Sequence, residues 1–190
     1  MIELKENNNF YVITGGPGVG KTSLLEELGN RQYKIVPEIA RELIREQQES
    51  NGEALPWKDK ELYKEIMFRR SLNSYEQAEK NINGGKPIFF DRGFLDTLCY
   101  SKLIRSEIDE RMEVFAGNWK YNKSVFILQP WHEIYTTDKE RKQDWEEAVL
   151  TYEKMCETYK SYGYDMVEVP KKAISERADF VLEFIGKNKI

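Results

Sequence analysis

The chain has 190 residues, 40% of them hydrophobic and 33% charged, with a formal net charge of −4. That length fits one globular domain over residues 1–190, and the charge balance excludes a module built to neutralise a nucleic-acid backbone. Two cysteines, Cys99 and Cys156, exclude a disulfide-dense scaffold and read as free thiols in a reducing compartment. No apolar run approaches the ~20 residues that span a bilayer, and residues 1–9 carry no apolar signal segment, so a cytoplasmic location is expected.

In chain order, short apolar stretches at 10–14, 33–37, 87–91, 124–129 and 164–169 read as buried strands. Helical patterns lie between them, at 21–28, 38–49, 57–83, 94–105, 110–116, 144–162 and 175–187. Pro56 suits the start of the third helix and Ser175 suits an N-cap for the last. Strands alternating with helices imply an α/β fold, a parallel sheet with helices on both faces. The stretch 47–83 is long enough to cover an acceptor site. The charged stretch 130–144 lacks an apolar period and suits a lid.

The first strand runs into Gly15-Gly16-Pro17-Gly18-Val19-Gly20-Lys21-Thr22, which matches the Walker A pattern of a P-loop. Glycines let backbone N–H groups converge on phosphate oxygens, and the helix that follows aims its positive end at the anion. With Ser23, these residues form the expected nucleotide-binding set. Lys21 is expected to reach the β- and γ-phosphates and Thr22 to offer its hydroxyl to Mg2+. A glycine-rich turn with a surface lysine is the bland alternative, and the strand before and helix after argue against it.

The strand Ile88-Phe89-Phe90-Asp91 has the shape of a Walker B element, with the carboxylate near magnesium. Only one strand candidate separates it from the P-loop, an arrangement that resembles the kinase and GTPase branch of P-loop proteins. Asp91-Arg92-Gly93-Phe94 is not the D-x-x-G of a GTPase. Strand ends line the ligand crevice of a parallel sheet, so Glu38 and Asp91 both approach the phosphates.

Glu38 has two readings, a base for the acceptor hydroxyl or a first-turn residue favoured by the helix dipole. Arg41 either meets an acceptor anion or is a solvated helix-face residue. Arg92 either grips the transferred phosphate or makes a structural ion pair. Asp96, four residues on, either orients Arg92 or pairs with it within the helix. In the run 137–142, Arg141 is the best candidate for a cation over the transferred phosphate, with Lys139 behind it; a solvated helix face is the alternative. The loop 171–174 follows the last strand and is expected near the nucleotide base. His132 reads as structural; Trp57 and Phe68 either pack in the core or under the lid or stack on an acceptor ring.

The P-loop, Val36-Pro37-Glu38-Ile39-Ala40-Arg41, Asp91-Arg92-Gly93, Pro130-Trp131-His132-Glu133-Ile134-Tyr135, Asp138-Lys139-Glu140-Arg141 and Tyr162-Gly163-Tyr164 occur in that order. Together they resemble the small stand-alone P-loop ATPases labelled "AAA domain". Those are similar to nicotinamide-riboside kinase and, more distantly, to nucleoside and nucleotide kinases. The resemblance spans nearly the whole chain. It implies a three-layer P-loop NTPase fold of kinase type, with a five-stranded parallel sheet and a lid at about 130–144. By that analogy Glu38 stands where a kinase base would be, Asp91-Arg92 looks like the kinase D-R pair, and Arg141 looks like a lid arginine. No extra helical domain of the oligomeric AAA machines is expected.

The function that follows is an ATP- and Mg2+-dependent phosphotransferase acting on a nucleoside, nucleotide or related metabolite. In it Lys21, Glu38, Asp91, Arg92 and Arg141 are catalytic, Thr22 and Asp91 hold the metal, and Glu38, Arg41 and Arg92 face the acceptor. The alternative is a nucleotide-binding regulator or slow ATPase or GTPase that acts through a protein or lipid partner.

Overall fold

The computed structural model describes residues 2–82, 84–134 and 145–187. Its strands are β1 (Lys5–Glu6), β2 (Phe10–Gly15), β3 (Lys34–Val36), β4 (Ile88–Asp91), β5 (Trp119–Lys120), β6 (Ser124–Leu128) and β7 (Asp165–Val169). Its helices are α1 (Lys21–Asn30), α2 (Ile39–Glu49), α3 (Lys60–Lys80), α4 (Phe94–Leu103), α5 (Glu110–Asn118), α6 (Trp145–Ser161) and α7 (Ile174–Lys187). A 3-10 turn covers His132–Ile134.

The main sheet has five strands in the order β3-β4-β2-β6-β7, all parallel. β2 lies at its centre with every residue buried, as a strand covered on both faces must be. Alternation along β2 divides the core in two. Phe10 and Val12 join Phe68, Leu72 and Tyr75 of α3, with Phe94 and Leu98 of α4. Tyr11 and Ile13 join Leu24 and Leu28 of α1, with Val181 and Ile185 of α7. α1 and α7 therefore cover one face, and α3 and α4 cover the other.

Tyr75 organises the α3 side. Its ring lies 5.0 Å from Phe10, 5.2 Å from Tyr121 and 5.3 Å from Trp119, and its hydroxyl donates to the Lys120 carbonyl at 2.8 Å. A second parallel pair, β1 with β5, joins Lys5 to Trp119 and was not expected from sequence. Lys5 Nζ stands 4.4 Å from the Trp119 ring centre and 3.0 Å from Glu79 Oε2, so side-chain contacts far along the chain hold this two-residue ladder.

Several expected boundaries are corrected. α3 starts at Lys60, not residue 57, because the Asp59 carboxylate caps it by accepting from the Leu62 N–H at 2.9 Å. Trp57 lies outside the helix and is 60% exposed, so it is not a core residue, whereas Phe68 is. Ser175 sits inside α7 rather than capping it. The Ala173 N–H just before the helix donates to Glu176 Oε2 at 3.2 Å.

Both cysteines are free, and burial pushes the Cys99 thiol up to about 12. Among the described residues no helix is long and apolar enough to cross a membrane.

Candidate active site

β2 and β4 are neighbours, with Ile13 level with Asp91, so the start of the P-loop and the end of the Walker B strand lie side by side. β3 flanks β4 with Val36 level with Phe90, which brings Glu38 to the same end of the sheet. Three strand ends thus place Lys21, Asp91 and Glu38 within each other's fields.

The P-loop turns sharply where β2 ends. Gly15 has φ +144°, and a Cβ there would stand 2.7 Å from the Leu128 carbonyl oxygen, so a side chain is excluded by both backbone and neighbour. Lys21 is 7% exposed, and its ammonium donates to the Gly15 and Gly16 carbonyls at 3.1 Å each. Burial pushes Lys21 down to about 8, with Arg92 adding repulsion and Asp91, Glu38 and Asp96 opposing it. Such an ammonium gains strongly from an incoming polyanion.

Asp91 keeps one carboxylate oxygen, the buried Oδ1, without a hydrogen bond among the described residues. Burial raises its pKa, with Glu38 and Asp96 adding and Lys21 and Arg92 opposing. A buried carboxylate oxygen left unbonded is costly unless something binds it. Thr22 lines the neighbouring cavity. A carboxylate and a hydroxyl are the hard oxygen donors that suit magnesium, which takes few protein ligands and keeps several waters.

Arg92 stands between two carboxylates. Its Nε donates to Glu38 Oε1 at 2.9 Å and its Nη1 to Asp96 Oδ1 at 3.3 Å. Its backbone is left-handed, φ 71°, which costs a non-glycine residue about 1–2 kcal/mol. The Arg92 N–H donates to the Ile13 carbonyl at 3.0 Å and helps hold that conformation. The two carboxylates push the guanidinium pKa further up, over the opposing effect of burial.

Glu38 also forms an ion pair with Arg41, its Oε2 3.1 Å from Arg41 Nε. Burial would raise the Glu38 carboxyl, but Arg92, Lys21 and Arg41 together hold it below the usual range. It makes no cap bond to α2. Glu38 stands at the N-cap of α2, and its carboxylate is held by arginines rather than by a cap bond.

Asp96 ties the site to the core. Its Oδ1 accepts from the Thr14 hydroxyl at 2.5 Å, and its Oδ2 accepts from the Gly93 N–H at 2.8 Å and the Tyr159 hydroxyl at 2.6 Å. Arg92 is thus oriented from β2, α4 and α6 at once, which is more than a pair within one helix. Gly93 has no room for a side chain, since a Cβ would stand 2.8 Å from the Tyr121 ring.

A cavity of about 580 Å³ opens beside the P-loop, a volume that suits a nucleotide-sized ligand. Gly18, Val19, Gly20, Lys21, Thr22 and Ser23 form one wall, with Arg41. Trp131, Ile134, the loop residues Lys172, Ala173 and Ile174, and Arg177 form the rest. Pro17 belongs to the loop without lining the cavity. Arg141 and Lys139 lie outside the described residues.

Between α2 and α3, Leu43 packs with Tyr63 and Met67 in a small buried cluster. Trp131 and Arg177 as cavity residues, and the Thr14–Asp96–Tyr159 network, escaped the sequence reading.

Fold and site define a P-loop protein of the kinase-like type. The family described as "AAA domain" matches residues 10–177, and the chain belongs to it. No curated protein matches it in sequence. Among solved structures, NadR protein in complex with NR superposes with a TM-score of 0.69 at 17% identity, covering 93% of this chain. The chain spans 51% of the length of that protein. Deoxyadenosine kinase from M. mycoides with bound dATP gives 0.65 at 17% identity, covering 93% of this chain and 99% of that one. Thymidylate kinase from Candida albicans gives 0.61 at 16% identity, covering 95% and 92%. At these identities the likeness is one of fold.

Proposed function

We propose that the protein transfers the terminal phosphoryl group of ATP, with Mg2+, to a hydroxyl or phosphate of a small molecule such as a nucleoside, nucleotide or related metabolite. The observation that carries this reading is the convergence of Lys21, Asp91 with its buried unbonded Oδ1, and the arginine-clamped Glu38 at three adjacent strand ends. Phosphoryl transfer asks little covalent chemistry of a protein. It needs positioning and charge stabilisation.

Gly15–Thr22 and Ser23 hold the nucleotide. Lys21 leaves its two carbonyl partners and meets the β- and γ-phosphate oxygens. Thr22 and Asp91 hold magnesium, which when bound neutralises charge on the phosphate oxygens. Arg41 faces the acceptor. Glu38, kept ionised by Arg92 and Arg41, accepts a hydrogen bond from the acceptor hydroxyl and orients it toward the phosphorus. In a loose transition state that hydroxyl loses its proton late, so a carboxylate of lowered pKa suffices. Arg92, anchored by Asp96, sets the position of Glu38 and stabilises charge on the transferred group. Arg141 is assigned to the lid that shuts water out.

The test is a screen of nucleosides, nucleotides and vitamin precursors for acceptor-dependent ADP formation in Mg–ATP. Turnover well above the acceptor-free rate is expected, absent in Lys21→Ala. Turnover at the acceptor-free rate across the library, with ATP still bound, overturns the reading.

One observation favours a second reading, a nucleotide-dependent regulator or slow NTPase with a protein or lipid partner. Glu38 is engaged by two arginines, a closed arrangement that a regulator could use without an acceptor. A regulator changes shape with nucleotide alone, whereas a kinase closes fully only with nucleotide and acceptor together.

A further inference from the structure

Arg177 sits in the first turn of α7 and lines the cavity beside the P-loop. It is 5% exposed, and its Nε has no hydrogen-bond partner among the described residues. Its guanidinium carbon stands 5.7 Å from the centre of the Trp131 ring. Desolvation pushes its pKa down with no described carboxylate opposing, yet an arginine stays protonated. A buried cation with donors unused is costly.

Its placement is constrained by the P-loop itself. Gly20 has φ +83°, and a Cβ there would stand 2.8 Å from Arg177 Nη1. Any side chain at position 20 would displace the guanidinium. Along the cavity wall, Lys21 points back to Gly15 and Gly16, and Lys172–Ile174 lie at the α7 side. Arg177 stands against Gly20, the residue before Lys21 in the P-loop.

We propose that Arg177 is a nucleotide ligand whose guanidinium binds the α-phosphate, the phosphate that joins the nucleoside to the rest of the chain, with the Trp131 ring behind it. The assignment rests on the nucleotide-binding part of the function proposed above. A planar fork of N–H donors matches two phosphate oxygens, and a desolvated cation gains more from an anion than from a neutral base carbonyl. Lys21 then serves the outer phosphates and Arg177 the inner one.

The test is calorimetric titration of nucleoside, mono-, di- and triphosphate, in adenine and guanine series, into wild type, Arg177→Gln and Lys21→Ala. Arg177→Gln is expected to weaken mono-, di- and triphosphate alike, by about 10- to 100-fold, and to leave the nucleoside unchanged. Lys21→Ala is expected to weaken the triphosphate far more than the monophosphate. Monophosphate bound by Arg177→Gln as tightly as by wild type, while Lys21→Ala loses triphosphate, overturns this inference and leaves the proposed function standing. Equal loss for nucleoside and monophosphate moves the contact to the base and also overturns it. A wild-type chain that binds no member of either series overturns both. Should Arg177→Gln not fold, Arg177→Lys keeps the charge but not the fork. It is expected to bind monophosphate about 3- to 10-fold more weakly, and unchanged binding overturns the proposal.

Discussion

At the scale of the residue, the site is an arrangement of charges whose costs are met by one another or by a ligand. Lys21 makes this testable by pH. Its pKa in the free protein, about 8, lies below the 10.5 of an ordinary lysine. The unfolded chain therefore holds this proton more firmly, and ligand-free stability rises with pH between those values. A bound triphosphate favours the charged form and reverses the effect. Triphosphate affinity should fall as pH rises through 8, by roughly tenfold at pH 9, with proton uptake on binding. Calorimetry in buffers of different ionisation enthalpy measures that uptake, and no uptake at pH 8.5 would contradict the role given to Lys21.

Asp96 is a positioning residue in this arrangement. Asp96→Ala strips partners from Thr14, Tyr159 and Arg92 at once, and breaking such a buried pair costs about 3–5 kcal/mol. A loss of unfolding free energy of that order, measured by denaturant titration, is expected. A change below 1 kcal/mol would mean that the network is not what orients Arg92.

Contiguous chemistry was legible here. The Walker A pattern, Asp91-Arg92 and Glu38 each announce themselves within a few residues. The Asp96 network was not, because Thr14 and Tyr159 lie 82 and 63 positions away and look like ordinary core residues. Arg177 was missed for the same reason, since its neighbours Gly20 and Trp131 meet it only in the fold.

At the scale of the element, the five strands of the main sheet were readable because each is apolar and ends at a turn residue. What escaped was shorter than any period. β1 and β5 have two residues each, and their pairing depends on Lys5 reaching Glu79 and Trp119. The α3 boundary was read from Pro56, whereas the Asp59 cap decides it. Asp59→Ala should destabilise the protein by about 1 kcal/mol, read as a lowered thermal midpoint, while Pro56→Ala should change it far less. The reverse ranking would restore the earlier start. Gly93→Ala should cost about 1–3 kcal/mol through overpacking on Tyr121. Tyr121→Leu should recover part of that loss, which a double-mutant cycle measures.

At the scale of the whole molecule, the strand order places the P-loop strand in the centre and the two acidic strand ends beside it on one side. A parallel sheet opens its ligand crevice at the carboxyl ends of its strands, so topology alone brings Lys21, Asp91 and Glu38 together from positions far apart in sequence. α7 closes the other side of the P-loop and contributes Arg177. The fold resembles that of kinases acting on different small molecules, and in the function proposed above the Glu38–Arg41 end of α2, rather than the sheet, would set the acceptor.

The measurement that bears most directly on the central claim follows the γ-phosphate itself. Wild type and Lys21→Ala are incubated with Mg2+, ATP labelled at the γ-position and a pool of nucleosides, nucleotides and vitamin precursors, and the products are separated. Label in a new organic phosphate, made by wild type and not by Lys21→Ala, is the expected result. Label found only in inorganic phosphate, or left in ATP, would contradict phosphotransfer and turn attention to a partner that reads the bound nucleotide.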